Sequence, residues 1–296
     1  MKFLKKLFGP KKIETTPEMV GEFYNEHNDS FLKVYGEVIQ AFRTNDVTKL
    51  LDYQIEAMEL KPGMKVVDAG CGVCGPAVYF AKHAGVEVHA VTISQEQFDK
   101  SKERIAEAGM EEKVFVYHGD YHKLQEILGS NDFDRVYFLE SFGHSPNHSS
   151  ALDSAWNVLK PGGYVYIKDL FQREPLLPEH IPAIEREVAK INEAYRYNIP
   201  DLYSVLKHLR KEGWILSKLK TIDLPIADFE NLTISNEFQE LTGIAKIEGW
   251  DDYVFPVDFF ELLCIKPEFD LSNGLNKYFL QNLMYMKVHN KKEEEL

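Results

Sequence analysis

Ten residues constrain this chain more than any others: Val66-Val67-Asp68-Ala69-Gly70-Cys71-Gly72-Val73-Cys74-Gly75. An apolar run gives way to Gly70-x-Gly72-x-x-Gly75, and a helical pattern follows to Ala84. Glycines at this spacing let a chain reverse sharply while a ligand lies against its backbone. The glycine pattern alone is weak, but between a strand and a helix it marks a binding loop. The residues that follow keep the same rhythm. Strands are expected at Met64–Ala69, Val86–Thr92, Lys113–His118, Phe133–Glu140 and Tyr164–Asp169. Helices are expected at Ser94–Ala108, Leu124–Leu128 and Asn147–Leu159, and Pro161-Gly162-Gly163 reads as a turn. Strands alternating with helices predict an α/β fold, a largely parallel sheet with helices on both faces.

The flanks read differently. Thr16-Pro17 is an N-cap followed by proline at the first helical position. Phe23, Tyr24, His27, Phe31, Val34, Tyr35, Val38 and Phe42 then line one face, and a second helix is expected over Asp46–Met58. After Leu170 come two inserted helices, Pro178–Tyr195 and Asp201–Lys211. Two long strands, Trp214–Leu224 and Val257–Ile265, are expected to pair antiparallel at the sheet edge. Pro225–Pro256 has no assignable pattern, and Lys277–His289 reads as a helix. The 296 residues allow one or two domains. Without a repeat or linker we read one elaborated domain: a tail and helical cap (1–60), a ligand-binding core (61–170), and a lid insertion with closing strands and a final helix (171–296).

Charge and cysteine content exclude several functions. Lys plus Arg total 34 against 47 acids, a net charge of −13. A general nucleic-acid binder needs the opposite balance. Three cysteines are too few, and odd in number, for a disulfide scaffold. Neither a long apolar span nor a signal-peptide pattern is present, so the expected compartment is the cytoplasm. Residues 2–12 carry five lysines and no acid. They read as a soluble tail, with weak contact to an anionic membrane surface as the alternative. Cys71 and Cys74 lack a second ligand pair, and they read as small residues filling a tight loop.

The loop's ligand is narrowed by where the acids stand. A dinucleotide site wants a carboxylate at the end of the second strand. Ala90-Val91-Thr92-Ile93-Ser94 holds none, and Glu87 comes too early. The acid stands before the first glycine instead, as Asp68. A carboxylate there can meet a cationic amino group, and S-adenosylmethionine offers an ammonium, a sulfonium and no pyrophosphate.

With these residues in view, Lys61–Asp169 resembles the Rossmann-like core of a class I S-adenosylmethionine-dependent methyltransferase. Val67–Gly72 matches its first motif, and Leu159-Lys160-Pro161-Gly162-Gly163 resembles its turn before the fifth strand. By that resemblance Asp68, Gly70, Gly72 and Gly75 hold the cofactor. Val91–Gln97 looks like the Thr-Leu-Ser-x-x-Gln motif of carbon-methylating subfamilies, among them sterol and geranyl diphosphate C-methyltransferases and cyclopropane fatty acid synthases. There Thr92 and Gln97, with Ile93 between them, take the place of the missing ribose acid. Gly119-Asp120-Tyr121 occupies the adenine position, where the cyclopropane synthases carry a Trp-containing motif instead. Tyr137–Pro146 resembles the Tyr-x-Ile-Glu-Ala-Thr-x-His-Ala-Pro stretch of sterol C-methyltransferases, and Phe23-Tyr24-Asn25 resembles the segment with which those enzymes open.

The chemistry sorts the remaining candidates. An alkene that attacks a sulfonium methyl becomes a carbocation, which needs aromatic faces for shelter and a base to take its proton. Glu140, ending the fourth strand, is the expected base. His144 either orients it, contacts substrate, or makes a structural hydrogen bond. Tyr24, Tyr35, Phe142 and Tyr197 are expected to line the pocket. A prenyl diphosphate acceptor, the first expectation ahead of a sterol-like one, would call for cations or Mg2+. Asn25, Arg196 and Asn198 are the candidates for its head group, with Arg43, Arg173 and Lys207 also available; no metal-ligand cluster is visible. Tyr195–Asn198 reads equally as part of a substrate lid or as a solvated helix end. The competing function is an oxygen or nitrogen methyltransferase of a small metabolite. The partner in either case is a small molecule, and a homo-oligomer is left open.

Overall fold

The computed structural model describes residues 15–224, 233–244 and 256–268. The basic segment 2–12 and the helix expected at Lys277–His289 lie outside them. Two helices open the chain, α1 (Pro17–Tyr35) and α2 (Val47–Ala57). Thr16 caps α1 by accepting from the Met19 N–H, and Asp46 caps α2 by accepting from the Thr48 N–H. Four β-α steps and a fifth strand follow: β1 (Lys65–Ala69), α3 (Gly75–Ala84), β2 (Glu87–Thr92), α4 (Gln95–Glu107), β3 (Val114–His118), α5 (Leu124–Leu128), β4 (Phe133–Leu139), α6 (His148–Val158) and β5 (Leu159–Gln172). The chain ends its described course with α7 (Ile181–Tyr195), α8 (Leu202–Glu212), β6 (Ile215–Thr221), α9 (Thr233–Thr242) and β7 (Val257–Ile265).

The seven strands order as β3-β2-β1-β4-β5-β7-β6. β1 to β5 are parallel, and β7 inserts antiparallel between β5 and β6. Side chains alternate across the sheet as a period of two requires. Val66, Val88 and Tyr137 enter the core on one face, and Val67, Val91 and Val136 the core on the other. Strand order reverses between β1 and β4, and in open α/β sheets ligands bind outside the carboxyl ends of the strands at such a point.

Two expectations change. Pro161-Gly162-Gly163 is not a turn before a short strand. β5 already begins at Leu159, and the irregularity is absorbed as a register shift opposite β4 between Phe133 and Arg135. Gly162, at φ +79°, takes the left-handed conformation that lets a strand buckle without ending. Second, the unassigned stretch before β7 contains a helix, α9, which packs on α1 through Phe238.

Candidate active site

The carboxyl ends of β1, β2 and β4 and the loop after β3 surround one cleft of about 840 Å³, open to solvent. Asp68, Gly70, Gly72, Thr92, Ile93, Gln97, Asp120, Tyr121, Glu140 and His144 all line it. A strap formed by Glu37, Ile39 and Gln40, between α1 and α2, closes one side. Gly75 lies beneath this strap and outside the lining. A Cβ there would run into the Glu37 carbonyl, so this glycine buys closeness between strap and loop. Gly70 has φ +92°, and a Cβ there would strike the Ser141 side chain.

Asp68 is 2% exposed, and its Oδ2 is a buried atom without a hydrogen-bond partner. Burial pushes its carboxyl up to about 8. Thr92 donates its hydroxyl to Gln97 Oε1 at 3.1 Å, which leaves the buried Gln97 Nε2 as a donor without a partner. Asp120 accepts from both the backbone N–H and the ring Nδ1 of His122, at 2.9 and 2.6 Å. Burial opposes its charge, yet these bonds outweigh burial and hold the carboxyl below its ordinary value. Tyr121 donates to the Ser141 carbonyl at 3.0 Å and packs edge-on to Phe138. An orphaned carboxylate oxygen at one place and an orphaned amide at another fit a ligand with an ammonium and hydroxyls, as S-adenosylmethionine has.

Glu140 directly follows the last residue of β4 and takes the left-handed conformation at φ +60°, as a carboxylate displayed from a strand end, but it is not free. Its oxygens accept from the Ala41 and Phe42 N–H groups and form a buried ion pair with Lys168 of β5. Lys168 also donates to Gln40 Oε1 at 2.7 Å and to the Phe42 carbonyl at 3.2 Å. Burial lowers the lysine's pKa, and the Glu140 charge works against that loss. The expected base is therefore also the pin that fastens the strap to the sheet. His144 is buried, and its Nδ1 donates to the Arg196 carbonyl at 3.0 Å. That fixes the tautomer, so Nε2 accepts from the Tyr24 hydroxyl at 2.9 Å. Burial lowers the imidazole to about 4, so it is neutral near pH 7.

Most expected substrate contacts serve other purposes. Asn25 accepts from Ser94 Oγ and the Glu96 N–H, tying α1 to the start of α4. Phe142 is fully buried in the core beside Phe138. Arg196 donates to the Glu193 carbonyl. Asn198 donates to the Ser145 carbonyl, and its own N–H bonds the Gly143 carbonyl. Tyr35 packs against Phe31 and Phe238 away from the cleft. Tyr197 donates to the Glu140 carbonyl and lies against the His144 ring. Of that group only Tyr24 lines the cleft, where its ring stacks on Phe31 with centroids 5.0 Å apart.

Sequence reasoning missed Lys168, Gln40 and Asp169. Asp169 accepts from the Gly143 and Leu170 N–H groups and so anchors the loop that carries His144. Two adjacent charged residues, Lys168 and Asp169, set between Tyr164–Ile167 and Leu170–Phe171 of β5 were the available signal. Gln40 offered none, because it sits in a loop with no periodicity.

Strand order, glycine loop and cleft together define a class I S-adenosylmethionine-dependent methyltransferase fold. A family model described as mycolic acid cyclopropane synthetase matches residues 40–189, and the chain belongs to that family. Its name is that of the branch from which Gly119-Asp120-Tyr121 departs, while sterol methylation figures among the relatives. The chain is 31% identical over 163 residues to 24-methylenesterol C-methyltransferase 2 of Arabidopsis thaliana, covering 52% of this chain and 45% of that protein. It is thus similar to less than half of that relative's length. It is 26% identical over 208 residues to 27-O-demethylrifamycin SV methyltransferase of Amycolatopsis mediterranei, covering 67% of this chain and 74% of that protein. Geranyl diphosphate C-methyltransferase from Streptomyces coelicolor A3(2), solved with Mg2+, geranyl diphosphate and S-adenosyl-L-homocysteine, superposes with a TM-score of 0.63. That pairing is 15% identical and covers 88% of this chain and 100% of the other, which establishes a shared fold.

Proposed function

We propose that this chain transfers a methyl group from S-adenosylmethionine to carbon, and that its acceptor is an uncharged isoprenoid alkene. When bound, the cofactor supplies a methyl group already activated by its sulfonium. The chain's part is to hold it and to shelter the acceptor. Asp68 would receive the ammonium, Thr92 and Gln97 the ribose, and Asp120 the adenine amine, with Tyr121 beside it.

The charge of the cleft carries the choice of acceptor. Among the described residues its lining includes Glu37, Asp68, Asp120 and Glu140, and neither lysine nor arginine. The cations expected to bind a diphosphate are engaged elsewhere or stand outside the cleft. Arg43 donates to the Tyr35 and Val38 carbonyls, Arg173 pairs with Asp258, Arg196 bonds the Glu193 carbonyl, and Lys207 is exposed on α8. No group of three metal-ligating side chains comes together among the described residues. A dianionic head group would meet neither lysine nor arginine there, so the sterol-like acceptor moves ahead of the prenyl diphosphate. A cleft lined by neither lysine nor arginine, beside the Tyr24–Phe31 stack, suits positive charge developing on a hydrocarbon.

The test uses labelled cofactor with geraniol, geranyl diphosphate, a sterol with a side-chain double bond, a phenol and an amine. The expected result is a new carbon–methyl bond on the sterol or geraniol and little turnover of the diphosphate. Preference for geranyl diphosphate would overturn the choice of acceptor. Methylation on oxygen or nitrogen alone would overturn carbon transfer and leave cofactor binding standing.

A further inference from the structure

Gln40 lines the cleft, is 2% exposed, and carries a buried amide nitrogen without a partner. Its orientation is dictated from behind. Gln54 Nε2 and Lys168 Nζ both approach Gln40 Oε1, each at 2.7 Å. An ammonium can only donate, so the amide oxygen must face Lys168 and the NH2 must face away. The neighbouring Ala41 and Phe42 N–H groups are held by Glu140, which is itself paired with Lys168. The amide is thus fixed at its carbonyl and through the backbone that follows it, while one end is left unsatisfied. A buried donor left unmade is costly, and an unsatisfied group in a rigid setting calls for an explanation.

The cofactor's amino-acid end is a zwitterion. Asp68 Oδ2, also unpartnered, accounts for its ammonium. The carboxylate needs a donor, and among the described lining residues no lysine or arginine supplies one. We infer that the Gln40 side-chain amide receives the carboxylate of S-adenosylmethionine, and that Lys168 and Gln54 are the positioning residues that aim it. This rests on the cofactor reading above and extends it to a residue that reading does not use. Lys168 is fully buried and cannot reach the ligand as an ion. Its charge draws density from the Gln40 carbonyl and makes the opposite N–H groups better donors, as linked hydrogen bonds do. The Glu140 partner cancels much of the lysine's bare field, so a directed bond, and not a general attraction for anions, is what the cleft presents.

The experiment compares S-adenosylmethionine with its decarboxylated form by calorimetry, in wild type, Gln40→Met, Gln40→Glu and Gln97→Leu. Wild type should prefer the carboxylated form by about 10- to 100-fold, the worth of a hydrogen bond to a charged group. Gln40→Met should bring the two affinities close together. Gln40→Glu should reverse the preference, since it sets an anion against the carboxylate. Gln97→Leu should weaken both ligands and leave their ratio near that of wild type. Should Gln40→Met fail to fold, Gln40→Glu still gives Lys168 an acceptor and carries the test. A wild-type ratio retained in the Gln40 variants, or no preference in wild type, overturns the inference. Failure of wild type to bind S-adenosylmethionine at all would instead overturn the cofactor reading beneath it.

Discussion

Asp68 occupies a position that works against the fold's stability. Its carboxyl stands at about 8 in the folded chain because burial penalises the ion. The unfolded chain releases the same proton near 3.8. Between these values the folded state holds a proton that the unfolded state has lost, so this residue's contribution to stability falls as pH rises from about 4 to about 8. Asp68→Asn removes the liability. Unliganded Asp68→Asn should melt above wild type at about pH 8.5, and the two should converge near pH 4. The same variant should lose S-adenosylmethionine binding, because an amide cannot neutralise an ammonium. Thermal melts across that range, with calorimetry beside them, check both halves. Equal pH profiles would mean that Asp68 is not strained. Asp68 and the glycines around it were legible from the sequence because a tight loop between strand and helix leaves a local signature. Asn25 and Phe142 were misread because nothing local separates a residue that faces a cleft from one that caps a helix or fills a core.

Among elements, the strap at Glu37–Phe42 depends most on others. It has no regular structure of its own and is fastened by the Glu140–Lys168 pair and by the close passage over Gly75. Removing one partner of a buried pair leaves the other charge uncompensated, at a cost of about 3–5 kcal/mol. Glu140→Gln should therefore destabilise the chain by that order in urea denaturation and loosen the strap, seen as faster amide exchange at Ala41 and Phe42. A loss below about 1 kcal/mol would show that the pair is not structural. This matters for any activity assay, since a slow Glu140→Gln enzyme would not by itself identify a base. The strands and helices of the sheet were legible because alternation and capping are local. The strap was not, and the sequence pattern ran on through Val38 and Phe42 as though α1 continued. Those two side chains are buried, but by tertiary packing after the helix has ended at Tyr35.

At the scale of the whole molecule, a net charge of −13 surrounds a cleft whose described lining holds neither lysine nor arginine. A cationic ligand is drawn into such a field, and salt weakens the attraction. S-adenosylmethionine carries a sulfonium charge that its homocysteine product lacks. Raising ionic strength from about 0.05 to about 0.5 M should therefore slow association of the cofactor several-fold and leave the product's association rate nearly unchanged. Stopped-flow measurement of both ligands decides it; parallel salt dependence would place the relevant field elsewhere. The largely parallel sheet with helices on both faces was legible, because alternating strands and helices admit few right-handed arrangements, but its strand order was not read from the sequence. The insertion of β7 between β5 and β6 was legible only as an antiparallel pair at the edge, since no local feature says which strand of such a pair lies inside.

That insertion has a consequence for a chain emerging from the ribosome. Among the described residues β5 is the longest strand, and its outer edge is covered only when Val257–Ile265 arrives, some 85 residues after β5 is complete. The same late strand sets Glu261 opposite Lys168 in the ladder. Until then a growing chain exposes a long, largely apolar edge, the kind of surface that recruits strands from other molecules. For all that time the lysine beneath the cofactor cleft lacks one of its buried acidic neighbours. Synthesis that stalls between β6 and β7 would leave a product in which the glycine loop is already made but the sheet beneath it is open on one side.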